Sequence, residues 1–192
     1  MWTGPRQIHD GLQQRSTGRG LSCREPVDGD YIYAVPTVSP FLWFNEGAAE
    51  AMALYERVFH DSANVSVTPN PASDPADFMS GRIRIGQTDI TLFNGGPYAD
   101  FTFSPAISLF VSCEDQAEVD RYWHGLSDDG EPGQCGWLKD RFGVSWQIVP
   151  KLFDELMSSS DAEKRDRVLQ AMMQMTKFDC AALQAAYGGE QN

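Results

Sequence analysis

The chain has 192 residues, 42% of them hydrophobic, and carries a formal net charge of −12 at pH 7. That length suits one or two small domains with a real core. So acidic a surface repels phosphate backbones and anionic lipid heads, which argues against nucleic acid and membrane as partners, and no run approaches the roughly 18 apolar residues of a membrane span. The opening residues contain no apolar signal-like stretch, and Cys23, Cys113, Cys135 and Cys180 stand far apart with no CxxC pair. Both features point to free thiols in a reducing cytoplasm.

Residues 1–38 are rich in Gly, Arg, Gln, Ser and Asp and sustain no helical or strand period. Such a segment buries too little apolar surface to offset its ordering entropy, so a removable flexible extension is expected. Its one aromatic patch, Tyr31 to Val35, offers the alternative of an arm that docks on a partner subunit.

The body, 39–150, reads as two copies of one plan. Phe41-Leu42-Trp43-Phe44, between Pro40 and Asn45-Glu46-Gly47, predicts a buried strand. Ala48 to Phe59 carries an apolar stripe at helical spacing. A strand at about 64–68 ends in the breaker-rich PNPASDP, and Phe78–Ile85 and Thr88–Asn94 alternate as a hairpin around Gly86-Gln87. Then the order repeats: a strand over Ala106–Cys113, a helix over Asp115–Leu126, and strands over Gln134–Lys139 and Val144–Val149 joined across Asp140-Arg141-Phe142-Gly143. A fourth strand of this unit is expected near Glu131. Strand, helix and hairpin recur at an offset of about 65 residues, which suggests duplicated modules rather than a solenoid. The fold class is therefore α+β, with hairpin strands pairing antiparallel.

The tail, 151–192, is helical: Lys151–Met157, then Asp161 to about Met175 with Ser160 as its cap and Glu163 at capping-box spacing, then Phe178–Tyr187 ended by Gly188-Gly189.

The segments PFLWF, AAEAMALY, FNGGP, AISLFVSCEDQAEVDRYW, GEPGQCGWLKDRFGVSWQIVP and AMMQMTKFDCAALQAAY, in this order, resemble the PhnB-like branch of the vicinal-oxygen-chelate (glyoxalase) superfamily. That branch is often labelled 3-demethylubiquinone 3-methyltransferase. The resemblance spans about Pro40 to Gly188. It implies two βαβββ modules, each curving a small sheet about a cavity, and relatives that pair modules between chains, hence a homodimer. In metal-dependent members, His and Glu from the first and last strands of each module bind the ion. Here the corresponding places fall on Pro40 or Ser39, on Ala106, Ile107 and Ser108, on Asp89 and Thr91, and on Gln147. Proline offers no ligand atom and a neutral amide is a poor one for a divalent cation, so no metal is expected. A conventional methyltransferase would need a Gly-rich loop between a strand and a helix; the chain has no GxGxxG, so no cofactor is expected.

What remains is a cavity lined by aromatics and amides. Trp43, Phe93, Phe110, Trp137 and Trp146 all fall in predicted strands, where such side chains form core or stack a flat ligand. The expected ligand-binding residues are Phe44, Phe93, Asn94, Phe110, Ser112, Trp137 and Gln147, with Gln147 turned into the cavity and Trp146 packed under the helices. Asn94-Gly95-Gly96-Pro97 reads as a plain turn or as a source of amide and backbone contacts. Asp89 is a solvated hairpin residue or a cavity acid of raised pKa. His9, His60 and His124 have no partner at metal-ligand spacing, and Cys113 and Cys135 read as inert core thiols. The function expected is binding of a small metabolite; the alternative is a divergent lyase, isomerase or methyltransferase acting through Asp89 or Gln147.

Overall fold

A computed structural model describes residues 36–70, 77–96 and 102–189; Tyr31–Val35, His9 and Cys23 lie outside the described residues. The first module comprises β1 (Phe41–Phe44), α1 (Ala48–Val58), β2 (Ala63–Pro69), β3 (Phe78–Ile85) and β4 (Thr88–Asn94). The second comprises β5 (Leu109–Cys113), α2 (Gln116–Ser127), β6 (Glu131–Pro132), β7 (Trp137–Lys139) and β8 (Ser145–Pro150). Each forms a four-stranded sheet, in the orders β1-β4-β3-β2 and β5-β8-β7-β6. Most strand pairs are antiparallel, but β1 runs parallel to β4 and β5 parallel to β8. That closure of first strand on last brings residues fifty positions apart side by side in the first module and thirty-seven in the second, and strand patterning carries no sign of it.

The expected elements are present with three shifts. Strand β5 begins at Leu109 rather than Ala106, because Ser104 to Ile107 turns the chain, with the Ile107 N–H donating to the Ser104 carbonyl. Strand β7 begins at Trp137 rather than Gln134. Cys135 and Gly136 have φ of 56° and 79°, outside strand geometry, and their N–H groups donate to Met175 and Thr176 of the tail instead of to the sheet. The expected short strand near Glu131 is β6.

The tail is α3 (Lys151–Met157), α4 (Ala162–Met172) and α5 (Cys180–Gly188). Asp161, not Ser160, caps α4, its carboxylate accepting from the N–H groups of Glu163 and Lys164; a carboxylate also complements the helix dipole there. Asp179 caps α5, so Phe178 precedes that helix and is buried. A Cβ on Gly136 would lie 2.6 Å from the Phe178 ring, so only glycine admits this close approach. Gln116 of α2 holds the same junction, donating to the Phe178 carbonyl and accepting from the Cys180 N–H. Lys177 pairs with Asp120 and holds its carboxyl below the usual carboxylate range.

Helix α1 packs on β3 and β4 of the first sheet, α2 packs on β5, β7 and β8 of the second, and the two helices pack on each other. Leu42, Phe44, Ile83, Ile90 and Leu92 turn inward onto α1, and Leu138, Trp146 and Ile148 turn inward from the second sheet. The modules meet in an aromatic cluster: Trp146 lies 5.1 Å from Tyr55 and 5.5 Å from Phe59, and Phe59 stacks on Tyr122 at 4.9 Å. At its centre is Asp140, 3% exposed. One carboxylate oxygen accepts from the N–H groups of Phe142 (2.9 Å) and Val144 (3.0 Å). The other accepts from the Tyr55 hydroxyl (2.7 Å) and the Trp146 indole N–H (2.9 Å).

Burial raises the Asp140 carboxyl above its ordinary range, and the four donors pull the other way. Asp140→Ala would leave the Tyr55 hydroxyl and the Trp146 N–H buried without an acceptor, at about 1–3 kcal/mol each. We expect a melting temperature lower by roughly 10 °C. Tyr55→Phe keeps the ring packing and loses one bond, and should cost about 1–3 kcal/mol in urea unfolding.

Candidate functional site

Because the helices cover the inner face of each sheet, the outer faces are left open. On the second sheet, Phe110 of β5 is in register with Gln147 of β8, and Gln147 with Trp137 of β7. Strand residues one apart face opposite sides, so these three form one row on the outer face, while half-buried Leu109 and buried Trp146 and Leu138 form the row behind. Phe110 is 54% exposed; Trp137 and Gln147 are half-buried. Ser112 follows Phe110 on the same face and is exposed. Ser145 and Val149, either side of Gln147 on this face, are buried, so the open row lies between two covered ends.

Gln147 sits at the centre of the row. Its amide donates to the Ser108 hydroxyl at 2.7 Å. Its carbonyl oxygen has no partner among the described residues, and the Ser108 hydroxyl keeps its own proton to donate. The pair thus presents one acceptor and one donor, without charge, between two aromatic side chains. The next row holds Lys139 and Glu131, paired at 3.1 Å.

The first sheet carries its own aromatic face. Phe93 lies 5.1 Å from Trp43, edge to face, and 5.7 Å from Phe41. Phe41 is 59% and Trp43 37% exposed. The Trp43 indole lies so close over Gly95 that a Cβ there would fall 2.1 Å from it. The FNGG turn therefore seats an aromatic ring.

Two expected ligand residues lie elsewhere. Phe44 is in register with Asn94, and both point to the helix side. Phe44 is buried, with its ring 4.9 Å from that of Phe103. Asn94 accepts from the Ala48 N–H at 2.9 Å and donates to the Phe78 carbonyl. The N-cap of α1, Gly47, has no side chain to offer, so Asn94 caps that helix from another strand. Ser108, which orients Gln147, was legible only as a place beside the expected metal position.

Asp89 forms a two-pronged ion pair with Arg84, at 2.6 and 3.0 Å. The guanidinium holds its carboxyl below the usual range, the opposite of what a general acid needs. Burial pushes the Cys113 thiol up to about 12, far from thiolate chemistry. His60 faces Arg121 and Asp61 at the surface, and His124 is exposed.

Residues 36–149 match the family model of 3-demethylubiquinone-9 3-methyltransferase. The chain belongs to this family. Helices α3 to α5 follow the matched segment. Among solved structures, a putative 3-demethylubiquinone-9 3-methyltransferase, a PhnB protein from Bacillus cereus, is 30% identical, with a TM-score of 0.54 over 60% of this chain and 99% of that one. Protein PA1353 from Pseudomonas aeruginosa shares the fold at 21% identity, with a TM-score of 0.52 over 60% and 98% of the two chains. A glyoxylase/bleomycin resistance protein/dioxygenase domain from Frankia is 13% identical, with a TM-score of 0.42 over 61% and 93%. No curated protein matches. The fold is the glyoxalase-like one of the vicinal-oxygen-chelate proteins.

The metal of that superfamily finds no fitting donor set here. The Pro40 side chain has no ligand atom, Gln147 offers only a neutral amide oxygen, a weak ligand for a divalent cation, and among the described residues no three His, Cys, Asp or Glu side chains are grouped to hold an ion. Two outcomes follow for the residues reassigned above. Asn94→Ala should cost about 1 kcal/mol, a lost helix cap. Iodoacetamide at pH 8 should leave Cys113 unmodified in the native protein and alkylate it in urea, as read by peptide mass spectrometry.

Proposed function

We propose that this member of the family binds a small, neutral or amphipathic metabolite on the outer face of its second sheet, without a metal. The observation that carries this reading is the half-buried Gln147–Ser108 pair, with its unused carbonyl oxygen, set between Phe110 and Trp137. Aromatic rings supply contact area and orientation for a flat ligand, while one acceptor and one donor fix its polar edge. An enzyme would need a titratable group converging on the same place. The row itself contains none, Asp89 is tied to Arg84, and the Lys139–Glu131 pair stands one row away.

We extend this to the assembly. Phe41, Trp43 and Phe110 expose ring surface on sheet faces that the chain's own helices leave open. Exposed aromatic surface on open sheet faces suits an interface. A second copy laid over these faces would enclose the ligand and form a homodimer. The family's methyltransferase description does not extend to this chain's chemistry: two mixed four-stranded sheets with inward helices offer no Gly-rich strand-to-helix turn for a sulfonium nucleotide. No helix of the described residues is long and apolar enough to cross a membrane; we place the protein in the cytoplasm, with neither membrane nor nucleic acid as partner.

Gln147→Leu tests the site. The organic molecules retained by untagged protein, extracted and identified by mass spectrometry, should fall at least tenfold, with the melting temperature within a few degrees of wild type. Unchanged retention would remove Gln147 from the site. Elemental analysis should find well under one equivalent of transition metal per chain after dialysis, and calorimetry with S-adenosylmethionine should give no isotherm. Light scattering at micromolar concentration should give about twice the 21.3 kDa chain mass; a monomer mass would contradict the assembly.

A further inference from the structure

Strand β5 stands at the edge of the second sheet, where only β8 pairs with it. The register decides which of its backbone groups that pairing uses. The Ile148 N–H donates to the Gly136 carbonyl on the β7 side of β8, so the backbone groups of Gln147 and Val149, one residue either way, point to β5. Gln147 is in parallel register with Phe110, and Val149 with Ser112, so their bonds go to Leu109, Val111 and Cys113. The N–H and C=O groups of Phe110 and Ser112 are left on the free edge, and nothing among the described residues bonds to them.

This edge, residues 108–112, lines a cavity of about 410 Å³. That is within the roughly 300–1,000 Å³ of small-ligand sites. The cavity reaches the helix side of the sheet: Phe59, Tyr122 and Trp146 of the aromatic cluster between the modules line it, with Ile85 and Ile90 of the β3–β4 hairpin. Gln147 and Trp137 do not. Of the described lining residues only Asp61 is charged. Unpaired strand groups beside an apolar floor form a template to which an extended chain adds as a further strand.

We propose that the free edge of β5 binds a short, neutral or basic peptide in this cavity, as a fifth strand of the second sheet with apolar side chains at alternate positions. In antiparallel addition one peptide residue exchanges both its backbone bonds with Phe110, and the residue two away does so with Ser112. Alternation then turns every second side chain toward the helices, where Phe59, Ile85, Tyr122 and Trp146 receive an apolar group. The cavity spans only a few residues of edge, which suits a short peptide and no folded partner. Asp61 in its wall and the net charge of −12 oppose an acidic one. The proposal uses the backbone of Phe110 and Ser112, stands apart from the Gln147 row, and survives if that row proves empty.

The probe is the blocked peptide acetyl-Val-Lys-Val-Lys-amide, titrated by calorimetry into the full chain, where it should bind one to one. Methylating the amide nitrogens of one alternate set should abolish binding, and methylating the other set should change it less than about threefold, because only one set faces β5. Glutamate in place of lysine should weaken binding about fivefold at low ionic strength. Ser112→Pro removes an N–H that no strand uses, so it should weaken binding at least about tenfold with the melting temperature within a few degrees of wild type. Val111→Pro, at an N–H spent on β8, should lower the melting temperature by roughly 10 °C or more. Gln147→Leu should change peptide affinity less than about twofold. By NMR, the amides of Phe110 and Ser112 should exchange fast in the free chain and slowly under saturating peptide, with Val111 and Cys113 slow throughout. No binding, equal tolerance of the two methylated peptides, full binding in Ser112→Pro, or no slowing of those two amides would each overturn the proposal. So would a melting temperature in Ser112→Pro as low as in Val111→Pro, which would mean that the edge is not free. Loss of peptide binding in Gln147→Leu would place the peptide on the outer row and overturn it equally.

Discussion

The carboxylate of Asp140 is the joint on which the architecture turns. It collects four donors, two from its own turn, one from Trp146 behind the second sheet, and one from Tyr55 of the first module's helix. A buried carboxylate is tolerable only when its oxygens are filled, and here both are. Filling them requires α1 to lie against the second sheet, which puts Tyr55, Phe59 and Trp146 in contact. With both helices drawn inward, the opposite faces of both sheets are left free. The open aromatic rows follow from that one buried charge.

The openness gives the site its character. On the second sheet the exposed row is polar only at its centre, where Gln147 stands beside Ser108. An amide there exchanges hydrogen bonds with a neutral group and is a weak ligand for a cation. The carboxylates that might have served otherwise are committed: Asp140 to the joint, Asp89 to Arg84, Asp120 to Lys177. The proposed ligand row of Phe110, Gln147 and Trp137 itself carries no charged side chain.

Much of this was legible in the sequence, for reasons particular to each element. The alternation of Thr88 to Asn94 and the stripe of Ala48 to Phe59 each follow from one local period, and both elements stand where those periods place them. Strand alternation puts Phe110 with Ser112 and turns Gln147 away from Trp146, whereas the alignment of Phe110, Gln147 and Trp137 in one row is set by the register between strands. Facts set by distant partners were hidden. Asn94 reads as a turn residue because nothing local reveals that Gly47, at the other end of the module, lacks a cap. Phe44 reads as a strand aromatic, and its face depends on the parallel register with β4. Cys135 and Gly136 read as strand because the carbonyls of Met175 and Thr176 that claim their N–H groups lie forty residues on. Asp140 sits in an obvious turn, Asp-Arg-Phe-Gly, which accounts for one oxygen; the other is settled by Tyr55, eighty-five residues earlier.

The central functional claim is that the Gln147 place holds an uncharged organic ligand instead of a metal ion. A crystal structure of untagged protein, purified without added metal or chelator, measures this directly. The account predicts density for an organic molecule lying between Phe110 and Trp137, within hydrogen-bonding distance of the Gln147 carbonyl oxygen. A metal ion coordinated at Gln147, with anomalous signal at its absorption edge, would contradict it.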